Sequence, residues 1–424
     1  MQLSNPSRVL FFFAVLALTC AQLKAENWPQ WRGPRNDAVS TEKNIPAKWS
    51  TTQNIAWSMQ MPGMSGATPV VWGDRIFVSS ADENKDLLLL CISTDGKLIW
   101  KQKVSTGDRH ARGDGNMASP TPSTDGKHVW VFYGTGDFAC FDFAGKQIWK
   151  TNLQQRYGRF KMGFGMHTTP VLFGDRIYMQ LIHSGAALVL AFDKATGQEV
   201  WIAERKSDGV AECEHSYASP MIWQKGDAAY LVTHGNDYAI GHSLKDGKEI
   251  WRLGDLNPKS RYNRTLRFVA TPVATPDLIV IPTAKRGAVV GLNPAAKGYV
   301  STGHQSEIWR MRSGTPDVPA PVVHNGLVYL CTEGGDLICL DAKTGTQNYK
   351  EKAGSGRHRA SPVYADGKIY TVAASGTVSV IKAGPKFELI SRNTLDGTLT
   401  ASPAISGGRI YLRTWTKLYA VGKK

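Results

Sequence analysis

The densest group of chemically able side chains is Glu212-Cys213-Glu214-His215-Ser216-Tyr217, which puts two carboxylates, a thiol and an imidazole within six residues. A carboxylate beside an imidazole can work as a general base or hold a cation. The same residues can equally be loop contacts and ion-pair partners of nearby arginines, and the sequence leaves both readings open. Three further histidines, His110, His167 and His358, lie in similar connecting segments, as do Arg109, Arg112, Arg156, Arg159, Lys161, Arg261, Arg264, Arg267, Arg312, Arg357 and Arg359. His234 and His242 flank a strand pair and read as turn or edge residues. There is no Gly-x-Ser-x-Gly, no His-Glu-x-x-His and no phosphate-binding glycine loop. The tripeptide Arg112-Gly113-Asp114 is too short to carry an argument.

The elements that must position these residues follow from a repeat. A small residue followed by proline and an apolar strand recurs at Thr68-Pro69, Ser119-Pro120, Thr169-Pro170, Ser219-Pro220, Thr271-Pro272, Ala320-Pro321, Ser361-Pro362 and Ser402-Pro403. The proline-to-proline steps are 51, 50, 50, 52, 49, 41 and 41 residues. Internal periods of this length signal a repeat architecture. Hairpin turns such as Gly73-Asp74, Asp125-Gly126 and Asn325-Gly326 follow the anchors, because Gly, Asn and Asp tolerate positive φ. Each unit holds four short strands, and eight such units predict an all-β, eight-bladed β-propeller of antiparallel blades. Length alone, 424 residues, would suggest two or three domains, but the repeat overrides it. The eighth unit ends at Val421 without a fourth strand, so Asn54-Ile55-Ala56-Trp57 is expected to complete it and close the ring.

Fourth strands end in Trp100, Trp149, Trp201, Trp251 and Trp309, with Tyr349 in the sixth unit and only Leu389 in the seventh; Trp57 belongs to the closing strand. These six tryptophans read as structural docking residues, while Trp223 and Trp415, outside the repeat position, are free to stack on a cofactor. Third strands carry a small residue at one register position: Cys91, Cys140, Ala191, Gly241, Gly291, Cys339 and Ala420. The three cysteines among them are therefore core filler. No Cys-x-x-Cys or zinc-type spacing occurs, so no metal is expected.

The phrases Asp193-Lys-Ala-Thr-Gly-Gln-Glu-Val-Trp201, Asp246-Gly-Lys-Glu-Ile-Trp251 and Asp341-Ala-Lys-Thr-Gly-Thr-Gln-Asn-Tyr349 resemble the tryptophan-docking repeat of the pyrroloquinoline quinone (PQQ)-like propeller family. The resemblance covers about residues 50–424. It implies the propeller fold with docking tryptophans packed between blades. It also implies two classes of function, since the family includes PQQ-dependent quinoprotein dehydrogenases and a non-catalytic barrel-assembly propeller lipoprotein. The dehydrogenases typically carry an adjacent Cys-Cys pair over the cofactor, and this sequence has none. The opening Asn27-Trp28-Pro29-Gln30-Trp31-Arg32-Gly33-Pro34 is similar to the start of other exported propellers.

The N-terminus reads as an export signal: Arg8, an apolar stretch from Val9 to Leu18, then small and polar residues. A short membrane anchor is the alternative. Cleavage after Ala25 makes residues 1–25 the signal, 26–53 an extended segment and 54–424 the single propeller. Thr19 before Cys20 is a poor fit to a lipidation signal. No apolar run is long enough to span a bilayer. The net charge is +15, or +13 without the signal, and the segments joining each fourth strand to the next anchor hold 22 Lys and Arg against 10 Asp and Glu.

In a propeller those crossovers share one end, so that end is expected to be basic and to attract anions. Arg109, His110, His167, Glu214, His215, Arg267, Arg357, His358 and Arg359 are the candidate ligand-binding residues. The expected role is that of a monomeric, periplasmic or envelope-associated binding or assembly module that requires no cofactor. It would meet an anionic small molecule, an acidic glycan or an envelope protein, and not nucleic acid. The alternative is a PQQ dehydrogenase with Ca²⁺ that oxidises an alcohol or sugar.

Overall fold

The computed structural model describes residues 25–107, 115–283 and 287–423. Eight antiparallel sheets follow one another along the chain. The first is Val70–Trp72, Arg75–Ala81, Asp86–Ser93 and Leu98–Thr106, and each later blade repeats that order from the channel outward. The eighth blade joins Ala404–Ser406, Arg409–Arg413 and Lys417–Val421 to Ile55–Gln60 from the other end of the sequence, so the N-terminal strand closes the ring. Two blades have a fifth strand. Val39–Ser40 adds in parallel to the inner strand of blade seven. Gly298–Val300, from the long turn of blade five, adds in parallel to the outer strand of blade four.

The small-residue position has a direct cause. Cys91, Cys140, Ala191, Gly241, Gly291, Cys339 and Ala420 each pair across the sheet with the docking aromatic of the same blade. A Cβ on Gly241 would come within 2.3 Å of the Trp251 indole, so only the smallest side chain fits there. Five indoles then donate to a carbonyl on the neighbouring blade: Trp57 to Thr94, Trp100 to Phe143, Trp149 to Lys194, Trp201 to Leu244 and Trp309 to Ala342, at 2.7–3.1 Å. Trp251 differs. It is fully buried and its Nε1 has no partner; the Pro294 carbonyl of blade five, at the register of the other acceptors, takes the Tyr230 hydroxyl at 2.8 Å instead. Blade seven has Ser391 where the others have an aromatic. There an indole from outside the repeat, Trp49, is buried in the local core with its amide bonded to Asn393.

Trp201→Ala is expected to lower stability by about 3–5 kcal/mol, the cost of a large buried aromatic and its cavity. An unchanged melting midpoint would remove the interblade role of Trp201.

One expectation needs correction. His234 and His242 are not turn or edge residues: both sit within strands of blade four and are 0% and 1% exposed. Trp223 and Trp415 have partners within the protein. Trp223 stacks on Tyr230 with ring centroids 4.6 Å apart, and Trp415 donates to Thr400. The five described cysteines are buried and free. No helix among the described residues is long and apolar enough to cross a membrane.

Candidate functional site

The anchors do more than mark the repeat. In blade two the anchor is Thr121-Pro122, directly before the inner strand Ser123–Thr124, and not the Ser119-Pro120 that the repeat suggested. The amide of one anchor donates to the anchor hydroxyl of the next blade: Thr68 to Thr121, Thr121 to Thr169, Thr169 to Ser219 and Ser219 to Thr271, at 2.9–3.1 Å. The series resumes from Ala320 to Ser361 and from Ser361 to Ser402. It lapses before Ala320, which has no hydroxyl. Each hydroxyl that accepts an amide keeps its own proton for another acceptor. Thr121, Thr169, Ser219, Thr271, Ser361 and Ser402 therefore form a collar of donors around the channel mouth, and all six line one cavity of about 370 Å³.

The channel is crossed by the N-terminal segment. Trp28 exchanges two backbone hydrogen bonds with Val71 of blade one. The Pro29 carbonyl accepts from Thr124 of blade two, and Gln30 Oε1 from Leu172 of blade three. Arg32 donates to the Pro321 carbonyl at blade six, Ala38 accepts from Tyr364 of blade seven, and Glu26 accepts from Ser406 of blade eight. Trp31, between these contacts, is part of the cavity wall. The strap skips blades four and five, and a second cavity of about 400 Å³ lies there, lined by Gln30, Asn36, Ile222 and Ala274 among others.

The main cavity has one aromatic side and one cationic side. Phe164 and Tyr217 meet edge to face at 5.8 Å, and the Arg267 guanidinium lies 5.1 Å over the Phe164 ring. Arg267 pairs with Glu212 at 3.3 Å and Asp317 at 3.9 Å. Arg357 and Arg359 share Glu333 at 3.0 and 3.5 Å. His167 Nε2 lies 2.5 Å from the Phe164 carbonyl and donates to it. Burial lowers the His167 pKa, so the ring is neutral at pH 7.

Of the sequence-predicted residues, His167, Arg267, Arg357 and Arg359 come together on this cavity, and Glu214, His215 and His358 do not line it. His215 Nε2 instead bonds Ser184 Oγ at 2.8 Å. His358 is buried, with Nδ1 3.2 Å from the Gly356 carbonyl. Arg109 and His110 lie outside the described residues. Sequence reasoning missed Trp31, Phe164, Tyr217 and the hydroxyl collar. Tyr217 stood in the quoted cluster and the hydroxyls stood in the anchors, but Trp31 belongs to no repeat. Counting crossover charge alone also left out Glu333, which sits on a hairpin turn at the same end. The basic end is thus partly compensated at the mouth.

The family profile described as outer membrane protein assembly factor BamB matches residues 85–298 and 296–421. The chain belongs to that family of PQQ-like propellers. No curated protein matches it in sequence. Among solved structures it is similar to BamB from Moraxella catarrhalis, at 14% identity and TM-score 0.63, over 86% of this chain and 99% of that one. It is also similar to the quinohemoprotein alcohol dehydrogenase of Comamonas testosteroni, at 15% identity and TM-score 0.73, over 94% and 81% of the two chains. A europium-containing methanol dehydrogenase aligns at 13% identity and TM-score 0.70, over 92% and 90%. At these identities the likeness is one of fold.

Calcium takes six to eight oxygen ligands, usually including carboxylates. Among the described residues, those lining the cavity include no Asp or Glu, and no cluster of three or more His, Cys, Asp or Glu could hold a metal ion, so the described lining does not supply the ligand set of calcium-held PQQ.

Should an anion bind in this cavity, Trp31→Phe is expected to abolish most of the accompanying fluorescence change and to leave the melting midpoint within about 2 °C, since Phe keeps most of the apolar body. A full fluorescence response in that variant would show that the anion binds elsewhere.

Proposed function

We propose that the chain is an exported, non-catalytic binding module that captures an anionic ligand in the cavity at the channel mouth. The observation that supports this is the convergence of Arg267, Arg357 and Arg359 with six anchor hydroxyls on a wall that also offers Trp31, Phe164 and Tyr217. Guanidinium groups bind carboxylates through charge-assisted, often bidentate hydrogen bonds. The aromatic side takes an apolar or planar body. The ligand class is therefore a carboxylate attached to a ring or an apolar group: an organic acid, a uronate-bearing glycan or an acidic segment of an envelope protein. Family membership supports an envelope location.

The test is a titration of purified residues 26–424 with PQQ, used as a planar tricarboxylate, and with uronate oligosaccharides. Both are read by tryptophan fluorescence and calorimetry, with and without Ca²⁺, at two salt concentrations. Saturable, salt-weakened binding independent of Ca²⁺ is the expected result. Dye-linked oxidation of alcohols or sugars with PQQ and Ca²⁺ would overturn the non-catalytic reading. Absence of binding to either probe class would remove the anion site.

A further inference from the structure

The first described residues are held in an unusual way. The Glu26 backbone N–H donates to Glu42 Oε1 at 2.8 Å. The same carboxylate accepts the amides of Gly407 and Gly408 at 2.7 and 2.5 Å, so a turn of blade eight fixes its position. Glu26 is secured on its other sides too. Its own carboxylate accepts from Ser40 Oγ and the Thr41 amide, both at 2.8 Å, and pairs with Arg35 at 3.3 Å. Its carbonyl accepts from Ser406 Oγ at 2.7 Å. Ala25, one residue earlier, is exposed. A carboxylate with three N–H groups gathered on it, one of them the amide that follows an exposed alanine, is a ready seat for a chain terminus.

We infer that Glu42 receives the α-ammonium of the processed chain, and that processing cuts between Ala25 and Glu26 rather than before Cys20. Hydrolysis of the Ala25–Glu26 peptide bond by water, in the hands of an export-signal peptidase, leaves a carboxylate on Ala25 and an ammonium on Glu26. The small Ala25 ends a leader with Arg8 and the apolar Val9–Leu18 run. Cleavage turns a neutral amide donor into a cationic one, and charge-assisted hydrogen bonds are about twice as strong. A free α-amine has a pKa of about 7.7–8.0, so it is mostly charged at neutral pH even before the carboxylate favours the ammonium further. A lipid-bearing Cys20 terminus would retain residues 20–25 and leave Glu26 a neutral amide, with no cation delivered to Glu42. The mature protein is thus released from the membrane, and its new terminus fastens the strap that carries Trp31.

Two measurements test this. The first is intact mass and N-terminal sequencing of the full chain expressed with export. A start at Glu26 without added lipid is expected, and a lipidated Cys20 or any other first residue overturns the proposal. The second compares purified chains beginning at Glu26 and at Lys24, each with Glu42 and with Glu42→Gln. With Glu42 the mature start melts about 2 °C higher than the extended one, and with Glu42→Gln the difference vanishes. Amine labelling near neutral pH should run several-fold slower on the mature wild type than on mature Glu42→Gln. Equal midpoints for the two starts, or equal labelling rates, overturn the ion pair without requiring any variant to fold poorly.

Discussion

Changing Arg267 and Arg359 together to glutamate is expected to remove measurable binding of a tricarboxylate such as PQQ while the ring stays folded. Each guanidinium that meets a carboxylate contributes about 1.5–3 kcal/mol as a charged hydrogen bond. Losing two costs roughly 100- to 10,000-fold in affinity, and reversed charge adds repulsion. Glu212, Asp317 and Glu333, which now balance these arginines, would face like charge in the variant. The neutral pair Arg267→Gln and Arg359→Gln therefore belongs in the same experiment. It should give most of the loss with little change in melting midpoint. Unchanged affinity in the folded neutral pair would mean that the anion does not meet this wall.

Acid should unfold the protein through two buried imidazoles in blade four. Arg205 Nε can only donate, so Thr233 Oγ1, 3.0 Å away, accepts from it and passes its own proton to His242 Nε2 at 2.9 Å. His242 Nδ1–H then donates to the Gly247 carbonyl at 3.0 Å. This chain fixes a neutral tautomer with no room for a second ring proton. Burial, above all, lowers His242 to about 3, and burial together with Arg205 lowers His234 to about 3. An unfolded histidine titrates near 6.5. Between those values the unfolded chain binds the extra protons, so stability is complete above about pH 6.5 and falls as pH drops toward 3. Each group contributes about 1.4 kcal/mol per pH unit, so roughly 4 kcal/mol is lost by pH 5. That is a large part of the 5–15 kcal/mol typical of a domain. Urea midpoints at pH 7.5 and 5 should differ clearly in the wild type and converge when His234→Phe and His242→Gln are combined. If the double variant keeps the wild-type slope, carboxylates and not these histidines govern acid stability.

The ring was legible in the sequence because all blades but the seventh solve the same packing problem and so write the same letters. The Pro anchor, the turn glycine, the small third-strand residue and the docking indole recur since each contact recurs. The reading broke down where a contact occurs once. Trp31 and Trp49 come from a segment that repeats nothing, and the partners they meet lie tens to hundreds of residues away. Trp251 keeps its place in the pattern, yet the carbonyl at its acceptor's register takes the Tyr230 hydroxyl. The cationic wall was half legible: Arg267, Arg357 and Arg359 were visible as charge. Their carboxylate partners were not, because pairing across loops depends on geometry that spacing does not carry. His358 and His215 looked equivalent to His167 in sequence position, but local backbone and hydroxyl partners hold their rings elsewhere.

The strap has a consequence for the order in which the molecule can be made. On the proposed export route, a chain threaded through a pore leads with its N-terminus, so residues 26–60 arrive first. Yet their partners are the inner strands of blades one, two, three, seven and eight, the Pro321 carbonyl at blade six and the Lys417–Val421 strand of blade eight, and this last strand is almost the final stretch to emerge. The earliest segment must wait for the latest. Until then the outer edge of blade eight is unpaired and the axle hole is unfilled, and open strand edges invite pairing with other chains. Assembly should therefore finish in one late, concerted closing step, and the newly exported chain needs shelter from its neighbours during the wait.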